Sequence, residues 1–410
     1  KYYFSGDYFN QDGIQINSFL KRYTARLNVE SQVTDKIKIG VRFNGAQIKM
    51  ADRFNSLAYG NPFWAAQNIF PWTPVKNSDG TWNWDIPENN NSNPVAIGAL
   101  NDRYDDQNQY RGIGSFEWNI LKGLTFRSNN SIDYFYSIGR DYRNPETPEG
   151  EDVNGQLYNG INKTITKTTS NTLSYNKSFN EVHNISAMAG FEAQNFDYYQ
   201  YALSGEGMGA DIPYLNNATS AEDVDYGYTS WSMMSYFGNV EYNFNNKYFL
   251  TASFRTDGSS RFGKDNRYGY FPAFGAAWNI SNEDFFKGID VVNMLKLRAS
   301  YGTTGNWQIG NYESLGSYSS VVYNGVGGLA PASLAKPDLT WELTKTYNVG
   351  TDFTLFNRID GTVEYFNKKT EDMLLDVPIS QTSGFSTLRR NTGSMRVWGV
   401  ETLLNATVID

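Results

Sequence analysis

A chain of 410 residues with 40% hydrophobic side chains and a mean hydropathy of -0.54 holds no run approaching the ~20 apolar residues of a membrane-spanning helix. It has no cysteine, which excludes disulfide frameworks and thiolate metal sites, and a net charge of -8 argues against nucleic acid, whose phosphates call for a basic face. Aromatics at 16% and 37 glycines suit pleated strands joined by turns.

In chain order, residues 1–9 read as a strand closed by the turn signal Asn10-Gln11-Asp12-Gly13. The opening residues KYYFSGDYF have neither the basic nor the apolar region of a signal peptide, so the sequence is expected to be a processed chain or an internal fragment. Tyr23, Ala25, Leu27 and Val29 then alternate with polar residues, turn at Thr34-Asp35-Lys36, and return as Ile37, Ile39, Val41 and Phe43. A polar and aromatic stretch over 48–109, with the run Asn89-Asn90-Asn91-Ser92-Asn93, reads as a long binding loop, and its four tryptophans speak against disorder.

Two further hairpins are expected, turning at Leu121-Lys122-Gly123 and near Ser178-Phe179-Asn180, with loops over 139–160 and 204–229. From Met234 to Ile280 the alternation is clearest. Met234, Tyr236, Val240 and Tyr242, then Tyr248, Leu250, Ala252 and Phe254, then Tyr270, Phe274, Ala276 and Trp278 share one register. Ser235, Asn239, Glu241, Thr251, Ser253 and Asp257 occupy the other. Asn282-Glu283-Asp284 reads as the cap of a short helix from Asp284 to Leu295. A strand at Leu297-Ala299-Tyr301, a Gly/Ser/Tyr-rich loop over 302–340, strands around Tyr347–Leu355 and Val363–Tyr365, and a last strand from Trp398 to Val408 complete the chain.

The pattern amounts to about fourteen strands of ~9–15 residues in up-and-down order, with short turns at one end and long loops at the other. Alternation alone fits a soluble sandwich as well. Strand length, turn asymmetry and aromatics near strand ends (Tyr242, Phe244, Tyr248, Trp278) favour an all-β, antiparallel up-and-down transmembrane β-barrel.

Chemistry-bearing groups are sparse. His183 is the only histidine, so neither a histidine metal site nor a Ser-His-Asp triad can be assembled. Glu371-Asp372 are adjacent and on a strand face opposite ways, unlike a glycosidase pair. Asp12, Asp102, Asp105 and Asp106 lack the spacing of a calcium loop. Arg261, Lys264, Asp265 and Arg267 can hold an anion or lipid headgroup, although a solvated loop stabilised by its own ion pairs is the favoured reading. Trp64, Trp72, Trp82, Trp84 and Trp307 are the candidate substrate-binding residues, by ring stacking; packing of the loops is the competing role.

The run Tyr248-Phe249-Leu250-Thr251-Ala252-Ser253-Phe254-Arg255-Thr256-Asp257-Gly258-Ser259-Ser260-Arg261-Phe262-Gly263, with Gly269-Tyr270-Phe271-Pro272-Ala273 and Ala277-Trp278, resembles a barrel hairpin of the SusC/RagA-type TonB-linked outer-membrane transporters. Leu297 to Asn306 and Asn391 to Val400 resemble two more elements of that pattern. The resemblance implies a partial barrel domain over residues 1–410, some fourteen of about twenty-two strands, with long extracellular loops and one short periplasmic helix. The plug, the TonB box and the closing strands would lie outside it. It further implies TonB-dependent import of glycan or peptide oligomers, a SusD-like surface lipoprotein as partner, contact with outer-membrane lipid, no catalysis and no cofactor. A siderophore or cobalamin receptor of the same barrel class is the first alternative; a secreted all-β glycan-active or glycan-binding protein is the second.

Overall fold

The computed structural model describes residues 1–51, 58–208, 212–286 and 288–408. Among the described residues, fourteen strands form one antiparallel sheet in which neighbours follow chain order. They are β1 (Tyr2–Asp12), β2 (Phe19–Thr34), β3 (Ile37–Ala51), β4 (Asp102–Leu121), β5 (Leu124–Arg143), β6 (Gln156–Phe179), β7 (His183–Glu206), β8 (Ser220–Phe244), β9 (Tyr248–Ser259), β10 (Tyr268–Asn279), β11 (Val292–Asn306), β14 (Glu342–Leu355), β15 (Ile359–Glu371) and β18 (Ser394–Ala406). Two hairpins stand outside the sheet, within its loops: β12 (Tyr318–Tyr323) with β13 (Val326–Pro331), and β16 (Leu374–Pro378) with β17 (Thr387–Asn391).

The turns fix this meander. At one end the chain reverses through Asp35-Lys36, Lys122-Gly123, Asn180 to Val182, Asn245 to Lys247 and Phe356 to Arg358. Four of these five reversals use left-handed backbone, and Gly123 (φ 86°), Asn180 (φ 47°), Asn245 (φ 49°), Asn246 (φ 53°) and Asn357 (φ 51°) supply it from residue types that tolerate it. The same end carries the longer connection 280–291 between β10 and β11, and at the other end most connections are long.

The hairpin register expected for Met234 to Ile280 is the one observed. Tyr242 sits opposite Leu250 and Leu250 opposite Ala276; Phe244, Tyr248 and Trp278 form the next rung. The exposure of the two faces is inverted relative to a soluble protein. Tyr236, Leu250 and Phe274 are 48%, 53% and 57% exposed, whereas Ser235 and Asp257 on the opposite face are 1% and 8% exposed. The same outward row continues through Phe4, Leu27, Phe43 and Ile132 on one side and Tyr347, Val349, Trp398 and Val400 on the other, all of them exposed. Water would oppose so broad an apolar surface; hydrocarbon would not.

The strands are longer than the alternation predicts. β6 and β7 have 24 residues each and β8 has 25, so the loops expected over 139–160 and 204–229 shrink to the segments beyond Arg143 and Glu206. In their upper halves both faces are polar or aromatic, as in Asn195, Asp197 and Tyr199 on one and Gln194, Phe196 and Tyr198 on the other, and the backbone ladder runs on without an alternating signal. The long loop after β3 likewise ends at Asp102, and it holds two helices the pattern did not foretell, α1 (Pro62–Asn68) and α2 (Pro94–Leu100).

The expected short helix from Asp284 to Leu295 is not formed. Ile280–Asn282 and Asp284–Phe286 are single 3₁₀ turns, Gly288 takes a left-handed φ of 95°, and β11 starts at Val292. β-Branched Val292 and the alternating Leu295 and Leu297 pair with Leu355, Phe353 and Thr351 of β14, and this ladder overrides the local cap signal. The short-turn end therefore has no α-helix among the described residues.

Phe254 lies three rungs above Tyr248 on the outward face, near the middle of the apolar band. In the protein refolded into phosphatidylcholine vesicles, Phe254→Arg should destabilise by about 2–4 kcal/mol in chemical denaturation. A cost like that of an exposed soluble site, under about 0.5 kcal/mol, would contradict the lipid-facing assignment.

Candidate functional site

The inner face of the sheet, the register of Ser235 and Asp257, carries a ladder of ion pairs between neighbouring strands. Arg22 of β2 pairs with Asp7 of β1 at 3.9 Å, and Glu30 of β2 holds Lys38 and Arg42 of β3 at 3.1 and 3.4 Å. Between β4 and β5, Arg111 meets Asp133 at 3.1 Å and Glu117 meets Arg127 at 2.8 Å. Arg255 of β9 binds Asp257 at 2.7 Å, donates to the Ser235 hydroxyl at 2.9 Å and reaches Glu192 of β7 at 3.7 Å. Arg298 of β11 lies against Asp352 of β14 at 3.4 Å and against Glu364 of β15. Exposed pairs of this kind each add little stability, about 0–1 kcal/mol. Their placement makes the inner wall densely polar with many of its charges paired, while Arg26 and Glu241 bond Asn44 and Asn239 instead.

Above the wall, the long loops are packed rather than loose. Phe262, Phe271, Ile309, Leu339 and Trp341 are buried together, joining the β9–β10 loop to the segment after β11, and Trp341 Nε1 donates to the Arg267 carbonyl at 2.8 Å. Tyr142, Leu157 and Met208 form a second cluster. In the loop after β3, the asparagine-rich run is the scaffold. Buried Asn93 accepts from the Val95 and Ala96 amides through Oδ1 and donates to the Val75 and Asn83 carbonyls through Nδ2. Asn89 donates to the Tyr59 and Ser92 carbonyls. Asn101 ties this loop to the next one, accepting from the Asn144 amide at 2.8 Å and donating to Glu149 at 3.1 Å. Burial raises the Glu149 carboxyl above its ordinary range, with Arg143 opposing the shift.

The candidate tryptophans divide by environment. Trp64 of α1 and Trp72 are exposed at 48% and 76%, and Trp72 stacks on Phe70 with centroids 4.9 Å apart. Trp82 is covered by Lys76, whose Nζ lies 4.5 Å above the ring, and Trp84 is half-buried. Trp307 is built into the packing: it meets Trp231 at 4.9 Å, and the Arg261 guanidinium lies over both rings, 4.5 Å from Trp307 and 5.4 Å from Trp231. Trp307 follows β11, whereas the other four lie between β3 and β4, and six strands, β5 to β10, stand between β4 and β11.

The Arg261-to-Arg267 segment is held by stacking and burial, not chiefly by the ion pairs expected of it. Arg261 Nε also donates to Asn311 Oδ1 at 2.7 Å, and Phe262 beside it is 1% exposed. Burial lowers the Arg261 pKa, with Glu313 opposing. His183 bonds the Tyr242 hydroxyl at 2.7 Å and packs on Phe244, a structural role in the lowest rungs. Glu371 is held by Lys345 at 2.5 Å and Lys369 at 2.6 Å, while Asp372 sits in a turn at φ 55°. Asp102 pairs with Arg140 at 3.2 Å, and adjacent Asp105 and Asp106 on β4 point to opposite faces. Asp12 closes β1, and among the described residues no group of three or more potential metal ligands converges.

Sequence reasoning missed Glu283, which gathers the short-turn rim. Its carboxylate accepts from Tyr248 Oη at 2.6 Å, Lys247 Nζ at 2.9 Å and Trp278 Nε1 at 3.1 Å. The Tyr248 hydrogen bond, then those of Lys247 and Trp278, push its pKa down to about 2. Nothing in the local sequence marks it, because its partners come from two other segments, Lys247-Tyr248 and Trp278.

An apolar outer face, a charge-laddered inner face, tight turns at one end and packed loops at the other define a stretch of transmembrane β-barrel wall. The model of the family described as TonB dependent receptor-like, beta-barrel, matches residues 42–407, and the chain belongs to that family of outer-membrane proteins. It is 33% identical to TonB-dependent receptor P26 of Formosa agariphila, over 99% of this chain and 42% of that protein. It is 30% identical to TonB-dependent receptor SusC of Bacteroides thetaiotaomicron, over 97% of this chain and 42% of that protein. The solved structure of the RagAB peptide transporter matches 100% of this chain and 47% of its own with a TM-score of 0.85 and 26% identity. The chain thus spans less than half the length of each relative.

Because the Glu283 pKa is depressed on folding, its contribution is complete above its ordinary value of 4.5 and is lost as the pH falls towards 2. Hydrogen exchange across 280–286 in the full-length receptor should accelerate over that window, and Glu283→Gln should raise exchange at neutral pH and flatten the dependence. Equal profiles for the two proteins would contradict the rim assignment. Arg261→Ala should loosen the loop by about 1–2 kcal/mol, read as faster exchange at 305–312, with Arg261→Lys recovering part of it.

Proposed function

We propose that this chain is a continuous piece of the barrel wall of a receptor that imports glycan or peptide oligomers across the outer membrane, driven through TonB and assisted by a SusD-like surface lipoprotein. The observation that carries the reading is the two-faced wall: exposed aromatics and aliphatics outside, paired charges inside. Similarity to SusC and to the RagAB peptide transporter supports it. A lumen with many of its charges paired offers hydrogen bonds to a hydroxyl-rich or amide-rich chain without selecting one sign of charge. Binding and gated passage, without covalent chemistry, then suffice. Trp64 and Trp72, the two exposed candidates, are the surfaces on which a sugar ring or apolar side chain would stack; Trp82, Trp84 and Trp307 serve first to hold the loops.

Two measurements on the full-length receptor test this. Cells expressing it should accumulate labelled oligosaccharides or oligopeptides, and deletion of TonB or of the lipoprotein encoded with the receptor should abolish accumulation; uptake independent of TonB would overturn the proposal. Trp72→Ala should weaken oligomer binding by about 0.5–1.5 kcal/mol without changing the melting temperature, whereas Trp307→Ala should lower the melting temperature first.

A further inference from the structure

Counted from the tight turns, equal numbers of residues carry each hairpin to the same level of the outer face. Ten residues along the return strands stand Gln47 on β3, Tyr134 on β5, Ala193 on β7 and Gly258 on β9. The residues they face across the ladder, Tyr23, Tyr110, Thr169 and Met234, are uncharged as well. The hairpin of β14 and β15 departs from this pattern. Ten residues along β15 from Ile359, Lys369 faces Lys345 of β14 on one side and Arg396 of β18 on the other. Direct partners share a face, and two residues lower on that face the rung is Tyr347, Asn367 and Trp398, with Val349, Tyr365 and Val400 beneath it. These are rows of the exposed outer register, so all three cations stand on the lipid side and within one rung.

Height, charge and cost single out an occupant. Ten residues at about 3.3 Å each, tilted near 45°, climb roughly 23 Å, the upper edge of an apolar band of about 25 Å, where acyl chains give way to headgroups. Tyr347 and Trp398 just below, 52% and 66% exposed, are the aromatic residues that mark such an edge. Like charges directly opposite on neighbouring strands destabilise a sheet, and here two such pairs adjoin. A single carboxylate answers them: Glu371, two residues above Lys369, takes Lys345 at 2.5 Å and Lys369 at 2.6 Å. Arg396 has no ion-pair partner among the described residues; its Nε donates to the neutral Asn367 Oδ1 at 3.0 Å. Strands about 4.8 Å apart put the three cations within roughly 10 Å, a width their long side chains can close around one headgroup. Reaching toward headgroups explains one lysine at this height. It does not explain three cations in one rung, on a chain of net charge -8 whose other tight hairpins have none at that level.

We propose that the rung of Lys345, Lys369 and Arg396 is a binding site for an anionic lipid of the leaflet on the long-loop side. The phosphate-bearing headgroup lies between Arg396 and Lys369 and draws on Lys345, while an acyl chain runs down over Val349, Tyr365 and Val400. It rests on the outer face meeting the bilayer, and it holds whichever oligomer the receptor carries. The headgroup supplies the negative charge that Glu371 alone does not, and charge-assisted hydrogen bonds turn three repelling neighbours into one clamp.

The test uses the receptor stripped of endogenous lipid in neutral detergent and titrated with phosphatidylglycerol, phosphatidylcholine or inorganic phosphate, with adducts counted by native mass spectrometry. Phosphatidylglycerol should be retained in preference to phosphatidylcholine, and inorganic phosphate should not be retained. Lys369→Gln with Arg396→Gln should lower phosphatidylglycerol retention roughly thirtyfold, the loss expected for two cations near a membrane surface. Glu371→Gln removes the competing carboxylate and should raise retention about fivefold, an increase that a merely structural role for this cluster would not produce. Lys167→Gln, at an exposed lone cation of the same face on β6, should leave retention unchanged. Equal retention of the two lipids, retention of inorganic phosphate in place of lipid, or a loss from Lys167→Gln as large as that from the double variant would overturn the site. Heat-modifiable migration on gels checks each variant's barrel independently: a receptor that migrates as a folded barrel and shows no selectivity refutes the lipid site alone, while one that never does refutes the membrane wall.

Discussion

A backbone crossing hydrocarbon must satisfy every N–H and C=O within the protein, since no water is there to take up the remainder. The unbroken ladder from β1 to β18 answers this constraint, and the rest of the molecule follows from it. Once the strands from β2 to β15 are bonded on both sides, the side chains alone decide what each face can touch. Period two then sends Tyr236, Val240 and Phe274 outward and Ser235, Glu192 and Arg298 inward. The arginine–carboxylate ladder is a consequence: a wall that faces water within must be polar, and pairing between adjacent strands and along β9 compensates many of its charges locally.

The two ends of the wall use different means. At the short-turn end, left-handed asparagines and glycine close the hairpins with no side-chain core, and the single carboxylate of Glu283 joins β9, β10 and the turn after it through Tyr248, Trp278 and Lys247. At the long-loop end the chain has room to pack, and it builds small apolar cores around Trp341 and Leu157 together with an asparagine scaffold around Asn89 and Asn93. Loops held this way can present Trp64 and Trp72 at fixed positions while leaving them exposed.

How much of this was legible in the sequence depended on whether one face met an apolar phase. Where it did, as from Met234 to Trp278, the register could be read residue by residue. Above the bilayer, where Asn195, Asp197 and Tyr199 share a face, the strands ran on without an alternating signal and were read as loop. The segment after Asp284 shows local propensity overruled, since Val292 to Leu297 had a partner in β14 that no local cap could announce. Asn61-Pro62 and Asn93-Pro94 were readable signals for α1 and α2: an asparagine N-cap followed by proline at the first helical position. Among the site candidates, residue type alone could not separate exposed Trp72 from Trp307, because the difference lies in Trp231 and Arg261, distant in sequence.

The account stands on which register meets lipid, and β8 offers the most direct measurement. The chain contains no cysteine, so single cysteines carrying spin labels can be placed in turn from Tyr236 to Tyr242 in the full-length receptor in lipid vesicles. Collision rates with oxygen, which concentrates in hydrocarbon, should peak at Tyr236, Val240 and Tyr242, and rates with a water-soluble nickel complex should peak at Asn239 and Glu241. An absence of period-two alternation, or alternation with the two registers exchanged, would contradict the assignment of the lipid-facing and lumen-facing walls.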